Sequence, residues 1–135
     1  MIELAVRTGQ RTEFVDVTGM VQKAVAESGI RSGSVVVFNP HTTAAVTINE
    51  GADPDVVRDM TLALDRLVPW QGDYRHAEGN SAAHIKASLL GSSVTVVVRK
   101  GRLQLGTWQK IYFCDFDGPR ARRLWVHLAG TGADQ

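Results

Sequence analysis

SGSVVVFNPHTTAAVTINE, residues 32–50, contains two apolar runs separated by an Asn-Pro break. SGSVVVFNP is continuously apolar up to Asn39-Pro40, and TTAAVTINE repeats the pattern on the far side. Runs of this kind read as strands buried on both faces, because a strand with one wet face alternates apolar and polar residues. The break leaves His41 directly after Pro40, at the turn between two buried strands.

Towards the N-terminus, ELAVRT and EFVDVT alternate polar with β-branched or apolar residues around the polar segment GQR, which predicts two short strands joined as a hairpin. Thr18 is then placed to cap a helix through MVQKAVAES, with Met20, Val21, Ala24 and Val25 on one face and Gly29 as its stop. Towards the C-terminus, Asp53 is the expected N-cap and Pro54 the first residue of a second helix, whose apolar residues keep helical spacing up to Pro69. WQGDYRHAEGN, residues 70–80, is polar, aromatic and glycine-containing, so it reads as a loop. A third helix is predicted from Ser81 to Gly91. Three β-like runs follow: SVTVVV, then LQLGTWQKIYFCDF with Gly106 marking a bend or bulge, then ARRLWVHLA after the turn DGPR. Strands in groups with three helices between them define an α+β class, a mainly antiparallel sheet packed with helices, and not a regular βαβ alternation.

The 135 residues, 44% hydrophobic and 21% charged, suit one compact domain over 1–135 with no linker. No apolar stretch approaches the roughly 20 residues needed to cross a bilayer, and MIELAVRTGQ lacks a signal-peptide pattern, so a soluble cytoplasmic protein without membrane contact is expected. Cys114 stands alone, which excludes an intrachain disulfide and a cysteine-rich zinc site. A net charge of +1 gives no reason to expect nucleic acid as a partner. Locally the balance differs: between Arg99 and Arg123 seven basic residues face two acidic ones, a field that a small anion could exploit, although charges on exposed strands are commonly just solvated.

The candidate chemistry centres on His41, His76 and His84. They fall at a strand end, in a polar loop and one turn into a helix; brought together, three imidazoles would form an open zinc-type site with room for water or substrate. Against this, a lone histidine is more often a hydrogen-bonded structural residue. Thr42 and Thr43 beside His41, and Glu78 and Asn80 after His76, supply hydroxyl, carboxylate and amide partners. Asn80 and His84 share a face at the start of a helix, where free amides could receive a phosphate, unless Asn80 or Ser81 is only a cap. Glu50 is a candidate general base, Asp53 has a sufficient job as a cap, and Asp55 and Asp59 fit a solvated helix face. His127, inside LWVHLA, reads as structural. His76-Ala77-Glu78 imitates half of a zinc-deaminase signature, but the paired cysteines are missing. There is no P-loop, G-x-G-x-x-G, G-x-S-x-G or H-E-x-x-H pattern, so no nucleotide cofactor is expected.

HTTAAVTINEGADPD, YRHAEGNSAAHIKASLLG and SVTVVVRKGRLQLGTWQKIYFCDFDGPRARR together resemble the YjbQ family, also called the secondary thiamine-phosphate synthase family and formerly an uncharacterised protein family. The resemblance runs from about Ser32 to Val126, and from Ser93 through GTWQKI the chain fits the family signature at every fixed position. It implies a compact α+β domain with a mainly antiparallel sheet, assembled as a homotrimer with its site near subunit boundaries. For activity it implies the joining of hydroxymethylpyrimidine diphosphate to thiazole phosphate with release of pyrophosphate, and for site residues His41, His76 and His84. Gly51, where the family often has Asn, is a departure that would loosen the segment before Asp53.

Two classes of function follow. One is a small histidine-site enzyme acting on a phosphorylated metabolite, assisted by a divalent metal, zinc first, with His41, His76, His84 and Glu50 catalytic and Thr42, Thr43, Asn80 and Arg120 contacting phosphate. The other is a non-catalytic trimeric protein that binds a metabolite or anion. Departure of a diphosphate needs a cation, from metal or from Arg and Lys in the basic segment.

Overall fold

The computed structural model describes residues 1–135 and divides the strands between two antiparallel sheets. In chain order the elements are β1 (Ile2–Arg7), β2 (Glu13–Asp16), α1 (Thr18–Ser28), β3 (Ser32–Phe38), β4 (Ala44–Glu50), α2 (Pro54–Leu67), α3 (Ser81–Leu90), β5 (Ser93–Arg99), β6 (Arg102–Leu103), β7 (Gln109–Asp115) and β8 (Ala121–Thr131). The larger sheet runs β1-β8-β3-β5-β6 and the smaller β2-β7-β4. The expected α+β class with three helices is the one observed.

The hydrophobic pattern explains the layering. Val35, Val37, Val96, Val98, Leu124 and Val126 of the larger sheet pack against Val46, Ile111 and Phe113 of the smaller one, with Val21 and Val25 of α1 closing the same core. The other face of the smaller sheet presents Ala45, Tyr112, Cys114 and Phe116 to Ala83 and Ala87 of α3. Strands β4 and β7 are therefore covered on both sides, which is why Ala44 to Val46 and Ile111 to Cys114 read as unbroken apolar runs. Strand β3 departs from that reading: only Val35 and Val37 are buried, and Phe38 is exposed.

Several local expectations are corrected. β1 and β2 do not form a hairpin; β1 pairs with β8 and β2 with β7, in different sheets. The reason lies at Thr8, whose N–H donates to the Arg120 carbonyl at 2.9 Å and whose hydroxyl donates to Asp115 Oδ2 at 2.7 Å, so the chain steps across to the other sheet. Thr18 does not cap α1: the helix begins at Thr18, and its Oγ1 accepts the Ile111 N–H at 2.8 Å. The run from Leu103 to Phe116 is not one bent strand. It divides into β6 and β7, and Gly106 sits in a turn closed by its own N–H donating to Gln109 Oε1 at 2.8 Å and by the Gln109 N–H donating to the Gly106 carbonyl at 3.1 Å. Gly51 does not loosen its segment either; a Cβ there would lie 2.0 Å from Lys110 Cγ, so the glycine permits close packing.

Helix α2 starts as expected, with Asp53 Oδ1 accepting the Asp55 N–H at 2.9 Å. It nevertheless buries none of its residues, and Leu62 and Leu67 are exposed. Val57 and Leu64 touch the smaller core, and Asp65 pairs with Lys86, a buried lysine of α3. Asp55 and Asp59 lie exposed on α2, and His127 is exposed on β8. No helix is long and apolar enough to cross a membrane.

Three connections that change sheets, β1 to β2, β3 to β4 and β7 to β8, meet at one end of the molecule. The candidate site forms where they meet.

Candidate functional site

Asn39 shapes the connection that carries His41. Buried almost completely, its Nδ2 donates to the carbonyls of His41 at 3.0 Å and Ala44 at 2.6 Å, while its Oδ1 accepts the His41 N–H at 3.0 Å. Asn at this position thus supplies the turn chemistry that Pro40 leaves incomplete. The His41 ring stands edge-on to Phe113 at 6.4 Å, and its Nε2 accepts the Arg123 N–H of β8 at 2.9 Å. That bond assigns the ring proton to Nδ1 in the neutral form. Burial first, and the Arg122 charge second, push the His41 pKa below its ordinary value, against the opposing effect of the Arg123 hydrogen bond.

Beside it lies a buried ion pair. Arg122 Nε and Nη2 donate to the two oxygens of Asp115 at 3.0 and 2.7 Å, and Nη2 also donates to Thr43 Oγ1 at 2.8 Å. Burial alone would raise the Asp115 carboxyl, but the hydrogen bonds from Arg122, Thr8 and the Asp117 N–H, with the Arg122 charge, outweigh it and hold the group below its usual range. Asp117 extends the network: its N–H donates to Asp115 Oδ1 at 2.9 Å, and its Oδ2 accepts from Asn80 Nδ2 at 2.9 Å and Arg120 Nη2 at 3.1 Å. Arg122 Nη1 is left without a protein partner.

These groups surround a cavity of about 440 Å³ whose lining, apart from Pro40, is polar or charged. Of the eight residues the sequence marks as site candidates, seven line it: His41, Thr42, Thr43, His76, Asn80, His84 and Arg120. Glu78, Asp117 and Arg122 complete the polar wall. His76 and His84 approach edge to face with ring centroids 5.4 Å apart, and His76 Nε2 lies 4.0 Å from Glu78 Oε2. Glu50 is the exception. It sits at the far end of β4, six residues beyond Ala44 and roughly 20 Å along the strand at about 3.3 Å per residue. There its carbonyl accepts the Tyr112 hydroxyl at 3.0 Å, away from the three histidines of the same chain.

Of the expected zinc-type ligand set, the chain brings His76 and His84 together. No three His, Cys, Asp or Glu side chains converge as metal ligands. The physical reason is at His41, whose Nε2 lone pair is occupied by the Arg123 N–H, leaving His76 and His84 as a pair. A second cavity of about 570 Å³ adjoins the polar one and shares His41, Thr42 and His84 with it. Its far wall is aromatic, with Phe38 and Trp125 stacked at 5.8 Å and 21°.

Sequence reasoning did not assign Asn39, Asp115, Asp117 or Arg122 to the site. A signal existed for one pair: Asp115 ends the apolar run IYFC, where a buried carboxylate requires a partner, and a cation follows at Arg122.

An antiparallel two-sheet domain with a polar, histidine-lined cavity at the sheet crossovers is the class these features define. The chain belongs to the YjbQ family, matching the UPF0047 protein YjbQ-like family over residues 2–131. It is 50% identical to the UPF0047 protein YugU of Bacillus subtilis, over 94% of this chain and 97% of that one. It is 45% identical to a UPF0047 protein of Archaeoglobus fulgidus, over 93% and 98% respectively. A crystal structure of an uncharacterized YjbQ/UPF0047 family protein from Clostridium acetobutylicum superposes with a TM-score of 0.94 at 55% identity, covering 96% of this chain and all of the other. A YbjQ-like protein of unknown function from Sulfolobus solfataricus superposes at 0.92 with 32% identity, covering 96% of each chain.

Proposed function

We propose that the polar cavity binds the phosphate or diphosphate of a small metabolite and that the protein is a histidine-site enzyme acting on it. One observation carries this reading: three histidines and two arginines line a cavity whose remaining wall, Pro40 apart, is polar. Arg122, fixed by Asp115 and Thr43, offers Nη1 to an anion with no reorganisation, and Arg120 adds a second positive charge. His76 and His84 are the proton-transfer pair, able to protonate a departing phosphate oxygen.

The specific reaction we propose is thiamine-phosphate synthesis, in which hydroxymethylpyrimidine diphosphate and thiazole phosphate join and pyrophosphate leaves. Arg120 and Arg122 would neutralise the charge that develops on the diphosphate. The cleft with Phe38 and Trp125, sharing His41 and His84 with the polar cavity, would take a planar ring. The same reading keeps the trimer: α2 with exposed Leu62 and Leu67, and the exposed Trp108, are surfaces that a second copy would cover, and sedimentation would register the assembly.

The test is pyrophosphate and thiamine-phosphate formation by the purified protein, with His76→Ala and His84→Ala compared to wild type. A general acid contributes about a hundredfold or more, so each variant is expected to lose at least that factor. Turnover that survives both substitutions would overturn the catalytic assignment. One observation favours the non-catalytic alternative, since His41 Nε2 and most of the Arg122 fork are already committed to protein partners. Tight binding of pyrophosphate without turnover of any phosphorylated substrate would establish it.

A further inference from the structure

Asn80 stands at the N-terminus of α3, where an asparagine ordinarily caps the helix with its side-chain oxygen. Here it does not. Its Nδ2 donates to Asp117 Oδ2, and its Oδ1 is buried without any hydrogen-bond partner, the one buried side-chain polar atom of the protein in that condition. The residue is 7% exposed and lines the polar cavity. Turning the amide over would not resolve this, because it would set Oδ1 against the Asp117 carboxylate. Asp117 is itself held, by Arg120 on the same oxygen and through its own N–H to Asp115. The amide is therefore locked with its acceptor unspent, and buried polar atoms in folded proteins find partners.

The position of that acceptor matters because of its surroundings. Arg120, Arg122 and the histidines suit an oxyanion, and Asn80 on the same wall holds a buried acceptor that a ligand oxygen satisfies only if it carries a proton. We propose that Asn80 is a specificity residue: the cavity selects an oxyanion that carries its own O–H beside its negative oxygens, such as hydrogen phosphate or a singly protonated phosphate ester, and discriminates against a fully deprotonated tetrahedral anion of the same size and charge. This deepens the anion-binding reading above and rests on it.

Hydrogen phosphate and sulfate form the matched pair that tests it, since in mildly alkaline buffer both are tetrahedral dianions and only the first has a proton to donate. Calorimetric titration of the full chain with each, at equal ionic strength, is expected to show phosphate bound about tenfold tighter or more, equivalent to about 1.4 kcal/mol. Asp117→Asn releases the lock, because its amide can pair with Asn80 in either orientation and let the Asn80 NH₂ turn to the anion. In that variant the phosphate-to-sulfate ratio is expected to fall towards one while binding persists, and Asn80→Ala is expected to lower the ratio in the same way. Equal affinities in the wild type, or a ratio unchanged by both variants, would overturn the role of Asn80 and leave the anion site standing. Failure of both anions to bind would overturn the anion-binding reading itself, and this inference with it.

Discussion

Arg122→Met removes the guanidinium while keeping much of the side chain's length and apolar bulk. The change deletes two hydrogen bonds to Asp115, at 3.0 and 2.7 Å, and one to Thr43 at 2.8 Å. Asp115 has no exposed surface and would retain only the Thr8 hydroxyl and the Asp117 N–H. Removing one partner of a buried ion pair costs about 3–5 kcal/mol, several times the roughly 1 kcal/mol of an ordinary hydrogen bond. The pH dependence gives a second handle. Because the folded pKa of Asp115 is depressed, the pair's contribution is present above the unfolded carboxyl value of about 3.9 and is lost as pH falls through the lower folded value. Without Arg122, burial dominates and the carboxyl titrates higher, so the variant is penalised most at neutral pH and progressively less as Asp115 takes up a proton. Urea unfolding followed by tryptophan fluorescence, at fixed protein concentration, at neutral pH and at about pH 4.5, measures both terms. Adding Asp115→Asn to Arg122→Met is expected to recover part of the loss, because the orphaned charge is gone. A neutral-pH cost under about 1 kcal/mol, or a cost that does not shrink on acidification, would refute the argument.

Two further outcomes are expected. Burial pushes the Cys114 thiol far above its ordinary pKa, so alkylation of the native protein by iodoacetamide should proceed only at the rate of unfolding; complete labelling within minutes under native conditions would contradict the burial. Lys86→Met should release α2, whose polar tether is Asp65, and accelerate amide hydrogen exchange across Pro54–Leu67 while leaving the β7 amides protected. Unchanged exchange in α2 would mean that Val57 and Leu64 alone hold the helix.

Elements whose signals are local were legible in the sequence. Asp53-Pro54 marks the start of α2 and Gly29, in the left-handed conformation at φ 78°, the end of α1. The apolar runs of β4, β5 and β7 lie within the predicted stretches. Pairing was less legible. A short polar segment between two alternating stretches favours a hairpin on local grounds, yet β1 and β2 pair with β8 and β7, the last two strands of the chain. Gly106 shows the same limit: a glycine in an apolar run fits a bulge as well as a chain break, and only the division into two sheets decides between them.

The site was legible in its ends and not in its frame, for a related reason. His41, His76, Asn80 and His84 fall where a strand stops, a loop runs or a helix begins, and such positions announce themselves in sequence. What aligns them is a set of contacts between distant segments: Thr8 with Asp115, Arg122 with Thr43, and the Arg123 N–H with His41. Each joins connections that pass from one sheet to the other. Polar residues are needed there because a chain leaving one sheet for another breaks its ladder and must pair its backbone and buried side chains by other means. The groups that satisfy the crossovers are thus the same groups that wall the cavity, Thr43 and Arg122 directly and Asp115 through them. Stability and ligand binding are coupled as a result, and a saturating anion should raise the unfolding midpoint of the wild type while raising that of Arg122→Met by much less.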